Sequence, residues 1–434
     1  MQEPRNIDIA ETQSRSIPWW IERGRAWLDE LQTPIGLRAS SAAGHYHALY
    51  GRDTLWSVLL VLEAARLRPT DSDFVTWAAD FATKGLQALS ATQGTIERPE
   101  NEEQPGKIIH EYWPEPDRWL SGTWPLWDGR YYGSVDATFL YLMTIATVWN
   151  QMANGPELVE SLWDHVLAAL YWTLDNGDVD GDGLIEVQPH QPQSLGLRNQ
   201  VWKDSSDSLL LADGSLPQPP VAWVELQGYA IAAFRDIIPL LQARGMEASL
   251  QRELRRRIVR IQEGLQRFWL PDEGCPAIAL TREKMPVPLV SSNVGHLLWC
   301  SALDSSHAEM TVARLLQPDL LTAWGLRTLS ARSYAFDPYS YHRGTVWPFD
   351  NAITAAALWR MGRFEDARSI SRRVIDAITR FDSPIELYCV LPSAWVLAPD
   401  TGGSEVLAVY TRACAVQAWS AAALLLFAAQ LLAE

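Results

Sequence analysis

The sequence predicts an all-α fold, an (α/α)6 barrel of about twelve helices in six hairpins with long loops at one end. Three observations carry that expectation. Apolar residues recur at three- and four-residue spacing through most of the chain, and no long run alternates with period two. Short and long connections largely alternate, and a short loop makes neighbouring helices antiparallel. No sequence period recurs, which argues against a solenoid of helical pairs.

Taken in order, the predicted helices span 18–31, 53–67, 72–90, 134–153, 156–176, 223–243, 246–270, 291–304, 306–315, 350–361, 363–381 and 413–433. The connections near 68–71, 154–155, 244–245, 305 and 362 are brief, and most carry Pro or Gly (Pro69, Gly155-Pro156, Gly245, Gly362). Those near 32–52, 91–133, 177–222, 271–290, 316–349 and 382–412 are long. If all hairpins point the same way, every long connector emerges at one end, and a broad site assembled there explains their length.

A single domain is expected over 1–434, with 1–16 a polar extension that lacks a signal-peptide pattern. Hydrophobic residues make up 47% of the chain, enough for a large core. The formal charge of −16 argues against nucleic acid and anionic membranes as partners. The apolar segment 413–433 holds Gln417, Trp419 and Gln430, so it reads as a core helix. Four scattered cysteines suit buried thiols in a reducing cytoplasm. The 21 tryptophans tilt toward a small carbohydrate partner, because indoles stack on sugar rings. Oligomeric state is not legible.

The long connectors concentrate polar and aromatic residues. The first ends in Tyr50-Gly51-Arg52-Asp53, where Asp53 reads either as a helix cap or as a substrate ligand. The second offers His110-Glu111 and closes on Ser134-Val135-Asp136, the acid lying where a helix dipole favours it. The third opens with Asp178, Asp180 and Asp182 at alternate positions before Gly183, matching half of a calcium loop. Pro189 stands where the closing bidentate acid belongs, so the alternatives are a structural calcium and a plain acidic turn. The same connector carries Asn199-Gln200-Val201-Trp202-Lys203-Asp204-Ser205-Ser206-Asp207. The fifth holds Tyr341-His342-Arg343 and Trp347, and the sixth holds Glu386 and Glu405.

Several of these runs resemble a known group: Tyr50–Thr54, Tyr132–Thr138, Asp180–Glu186, Asn199–Ser205, Tyr341–Asn351 and Gln417–Trp419. They are similar to amylo-α-1,6-glucosidase-like proteins and, more distantly, to glycoside hydrolase family 63, which includes mannosylglycerate and glucosylglycerate hydrolases. The resemblance implies the barrel fold and hydrolysis of a small α-glucoside or α-mannoside with inversion. It maps the general acid onto Asp204 and the general base onto Glu386. Lys203, intervening after Trp202, leaves Asp207 as an alternative acid. The span from Glu386 to Trp419 leaves Glu405 as an alternative base.

Inversion requires a protonated carboxyl at the leaving oxygen and an ionised carboxylate behind an attacking water. Trp202 and a nearby anion are expected to raise the pKa of Asp204, with the Lys203 ammonium pointing away. Tyr50, Arg52, Asp53, Glu111, Asp136, Gln200, Trp202, Lys203, Tyr341, His342, Arg343, Trp347 and Gln417 make up the expected substrate-binding set. No cofactor is required for this chemistry. The readings from other classes are a sugar isomerase or epimerase and a non-catalytic carbohydrate-binding barrel.

Overall fold

A computed structural model describes residues 15–115, 128–190, 196–391 and 405–433. The expected extension 1–16 lies outside the described residues except for Arg15 and Ser16. The Ser16 hydroxyl caps the first helix through the Trp19 N–H.

Thirteen helices are described. They are α1 (Ile17–Leu31), α2 (Gly51–Arg66), α3 (Ser72–Ala91), α4 (Asp136–Gln151), α5 (Gly155–Ser161) and α6 (Trp163–Asn176). There follow α7 (Val224–Ala243), α8 (Ala248–Leu265), α9 (Asn293–Trp299), α10 (Ser305–Leu315), α11 (Pro348–Arg360), α12 (Phe364–Phe381) and α13 (Ala418–Leu432). Helices α2, α4, α7, α9, α11 and α13 touch in that order, and α13 returns to α2, closing an inner ring. The outer layer places α3 on α2, α5 and α6 behind α4, α8 on α7, α10 on α9, α12 on α11 and α1 on α13.

Side-chain patterning sorts the two layers. The inner helix α13 buries 13 of its 15 residues, and α2 buries 15 of 16. The outer helix α8 buries only Leu254, Ile261, Gly264 and Leu265 of its 18 residues. A helix apolar all round belongs inside, whereas one with a single apolar stripe belongs outside. No described helix is long and apolar enough to cross a membrane.

The ring differs from six sequential hairpins in one respect. Five inner–outer pairs are joined by short turns, while the sixth pairs the first helix with the last. The chain starts in the outer layer, so each long connector climbs from an outer helix to the start of an inner one. All inner helices therefore begin at the same end of the barrel. The short turns lie at the other end, where Gly245 and Gly362 adopt φ +66° and +78°, a region closed to most side chains.

Several boundaries differ from the expected ones. The predicted helix 156–176 breaks at Leu162 into α5 and α6, and 246–270 stops at Leu265 before a tight 3-10 turn. The segment 291–304 shortens to Asn293–Trp299, and α2 starts two residues early, at Gly51. Tyr50 therefore occupies the cap position and Asp53 lies inside the first turn, so the cap reading of Asp53 does not hold.

The connectors are stitched by strands too short for alternation to register: 49–50 pairs with 111–112, which pairs with 130–131, and 388–391 pairs with 406–409. One short repeat is hidden among them, too brief to set a period. Thr-x-x-Gly-Leu-Arg recurs at 33–38 and 322–327, and both copies fold as the same hairpin. In each the Thr hydroxyl donates to the Gly carbonyl at 2.7 Å.

Candidate active site

The shared end of the inner helices encloses a cavity of about 340 Å³, counting its open mouth. Its walls come from four connectors and the helices they feed. The first supplies Tyr46 and Tyr50, with Arg52 and Asp53 from the first turn of α2. The third supplies Trp202 and Asp204; the fifth supplies Tyr341, His342 and Trp347; the sixth supplies Glu386. Gln417 and Trp419 close it from the start of α13.

Three carboxyls on this wall sit above the ordinary carboxylate range. Burial pushes Asp204 up to about 6, against the opposing Arg52 charge and hydrogen bond, and Asp136 and Glu111 add to the rise. The Asp204 side chain keeps 26% exposure, on the cavity it lines. Burial likewise raises Asp53 to about 7, opposed by Arg52 and by the Gln417 amide, which donates at 3.1 Å. Burial also raises Glu386 to about 7, opposed by the Tyr341 hydroxyl and the Cys414 N–H, with Asp53 adding to the rise. That N–H donates to Glu386 Oε2 at 2.8 Å, and the Tyr341 hydroxyl bonds Glu386 Oε1 and lies 3.1 Å from the Tyr46 hydroxyl.

Arg52 ties two connectors together. Its Nε and Nη2 donate to Asp136 at 2.6 and 3.2 Å, and Nη1 donates to Asp204 Oδ2 at 3.2 Å. Lys203 is fully buried and turned away from Asp204, donating to the Thr328 carbonyl at 2.6 Å and lying 4.9 Å from the Trp202 ring centre. Burial lowers it to about 8 despite Asp350 and Glu225, and burial lifts Glu225 to about 7. His342 is held well below its usual pKa by burial, then by Lys203 and Arg52. Its Nδ1 lies 2.8 Å from the Ser205 hydroxyl, and its ring stacks on Trp347.

Not every expected ligand reaches the cavity. Glu111 accepts hydrogen bonds from Tyr50 and Trp113, and Asp136 accepts from Arg52 and Ser134, so both hold cavity residues from behind. Gln200 gives its backbone carbonyl to the Val135 N–H, and Lys203 braces the acid loop. Arg343 is spent on Asp207 and the Ala335 carbonyl. The alternative acid Asp207 is half exposed in that pair. The alternative base Glu405 accepts from Arg327 and from the Ala323 N–H, and neither alternative lines the cavity.

Two wall residues were absent from the expected set. Tyr46 looks no different in sequence from its neighbours in His45-Tyr46-His47, and Trp419 sits within an apolar helix. The indole N–H groups of Trp202 and Trp419 and the Oε1 of Gln417 are buried with no partner among the described residues. Such groups fit a hydroxyl-rich ligand, since buried polar atoms seek partners.

The barrel has known relatives. The mannosylglycerate hydrolase from Thermus thermophilus, a family 63 enzyme solved with Tris, superposes with a TM-score of 0.65 at 16% identity, covering 94% of this chain and 99% of that one. The same enzyme bound to glucose gives 0.63, again at 16% identity with coverage of 94% and 99%. A wild-type glycosidase gives 0.59 at 14% identity, with 96% of each chain covered. No curated protein matches in sequence. The family model of the mannosylglycerate hydrolase MGH1-like glycoside hydrolase domain matches residues 80–386, well over half of the 434. The chain therefore belongs to the MGH1-like glycoside hydrolase family, and it is a glycosidase built on an (α/α)6 barrel.

Proposed function

We propose that this glycosidase cleaves a small α-glucoside or α-mannoside with inversion, the substrate being of the glucosylglycerate or mannosylglycerate kind or a short α-oligosaccharide. One observation carries the reading: Asp204 and Glu386, from connectors far apart in sequence, face one small cavity, where burial raises Asp204 toward the protonated form an acid needs. In this reading Asp204 gives its proton to the glycosidic oxygen as the C–O bond breaks. Glu386 takes a proton from a water that attacks the anomeric carbon from the opposite face. The products are the β-configured free sugar and the released alcohol, with no cofactor in the balance.

Asp53, Gln417 and the two unpartnered indoles then serve the sugar hydroxyls, while Tyr46 and Tyr341 hold the base. The cavity size favours a compact substrate over a branched polymer. The Thermus enzyme has been solved with glucose, and with Tris and D-glycerate, which fits the same range of ligands. Four free buried cysteines support action in a reducing cytoplasm.

The test is proton NMR of the first product formed from α-glucosylglycerate, α-mannosylglycerate and short α-glucans. The β-anomer should appear first. Initial α-anomer would exclude inversion, an uncleaved epimer would indicate an isomerase, and binding without turnover would indicate a non-catalytic barrel.

A further inference from the structure

The third connector opens on an acidic run whose carboxylates converge. Ligand oxygens of Asp178, Asp180 and Glu186 all lie within 4.8 Å of one another. Calcium asks for six to eight oxygens and tolerates little competing positive charge. Here three protein cations are ion-paired with the acidic run, and a fourth, Arg260, donates to the Gly181 carbonyl at 2.7 Å. The Lys284 ammonium is ion-paired with Glu186 and lies 2.9 Å from Asp180 and 3.6 Å from Asp182. Arg257 reaches Asp178 at 3.4 Å, and Arg267 reaches Asp182 at 2.7 Å.

Four carboxylates against four cations leave no net charge (−4 + 4), and Arg257 is shared with Glu253. Of the four carboxylates only Asp178 Oδ1 is buried without a partner among the described residues, and a divalent ion would have to expel the lysine to gain more, so the residues present do not supply calcium's six to eight oxygens. The remaining oxygen of Glu186 is taken by the N–H groups of Val179 and Asp180, at 3.0 and 3.4 Å. Glu186 is fully buried, and the Lys284 side chain is 16% exposed. Lys284 holds φ +60°, which is uncommon for a residue with a Cβ, in a turn closed by Thr281 and Met285.

We propose that Lys284 is the resident cation of the acidic loop. It performs the neutralising work that calcium performs in loops of this pattern. It also pins the start of the connector bearing Trp202 and Asp204 to the turn 281–285. The cradle then becomes a site for a divalent, oxygen-seeking cation only when Lys284 is removed.

Thermal unfolding of the full chain in EGTA and in millimolar CaCl2 tests this. The wild-type Tm should agree within about 1 °C between the two buffers, because nothing binds the native state selectively. Lys284→Met should lose roughly 3–6 °C in EGTA and recover most of it with calcium. Lys284→Arg, which keeps the charge, should lose less and ignore calcium. A saturable rise in the wild-type Tm with calcium overturns the proposal. So does a Lys284→Met chain that loses nothing, or one whose loss calcium does not restore. If Lys284→Met does not fold, calorimetric titration of the wild type with calcium decides: saturable heat overturns the proposal, and its absence supports it.

Discussion

Helix α2 carries a buried carboxylate at each end, and the two are treated in opposite ways. Glu63, facing the short-turn end, is 2% exposed, and the burial that would raise its pKa is outweighed by Arg360 and Arg66. Those guanidiniums donate to it at distances down to 2.7 Å, and its pKa falls below the ordinary value. Asp53, two turns and more toward the site, is 6% exposed but is left to one amide and a guanidinium already committed to Asp136. Its pKa rises to about 7. The same helix thus has its acid at the short-turn end, which pairs with Arg360 of α11, fully compensated and the acid that faces the cavity under-compensated. The two acids are buried alike, and what separates them is counter-charge; Glu225, raised to about 7 away from the cavity wall, shows that the deficit marks a site only together with the cavity.

The contrast between the two ends predicts its largest effect at the cavity. On the proposed roles, Asp204→Asn and Glu386→Gln should each lower kcat by about 10³-fold or more while the fold survives, since each removes the group assigned to give or take a proton. Steady-state kinetics with far-UV circular dichroism checks this, and near-normal turnover by either variant removes its assigned role.

At the opposite end the cost should fall on stability. Arg360→Met leaves Glu63 with Arg66 alone, and because Arg360 is 36% exposed the loss is expected at about 1–2 kcal/mol in denaturant unfolding, with kcat unchanged.

A smaller effect has the reverse sign. Glu386 binds its proton more tightly folded than unfolded, so its contribution to stability is present at acid pH and lost as pH rises through about 7. Glu386→Gln should therefore melt a few degrees above the wild type at pH 8, roughly 2–4 °C, and close to it at pH 5. Equal melting at both values would show that the acid is not held under strain.

The smallest change returns to the cavity. The Tyr341 hydroxyl lowers the pKa of Glu386, so Tyr341→Phe should move the acid limb of the kcat/KM profile upward by roughly half a unit. An unmoved limb would detach Tyr341 from the base.

Much of this was legible in the chain. The 3.6-residue period and the alternation of turn lengths specify two layers and a common end, because each rests on local chemistry. Pairing α1 with α13 is a long-range choice that no local pattern records. The same boundary governs the site. Arg52, Asp53, Trp202 and Gln417 stand out as polar or aromatic groups in odd places. Which of them reach the cavity depends on neighbours far away in sequence, as with Asp136 behind Arg52 or Arg343 captured by Asp207. Lys284 was invisible as part of the acidic loop because it arrives from another connector.

Closure of the ring through its terminal pair has a consequence for how the molecule is made. The wall bearing Gln417 and Trp419 forms only when the two ends of the described chain meet, which is the costliest search in loop-closure entropy. Until then α13 presents an almost unbroken apolar surface, a target for self-association or for a chaperone. Refolding should thus regain helicity well before it regains glycosidase turnover, and the lag should lengthen with protein concentration.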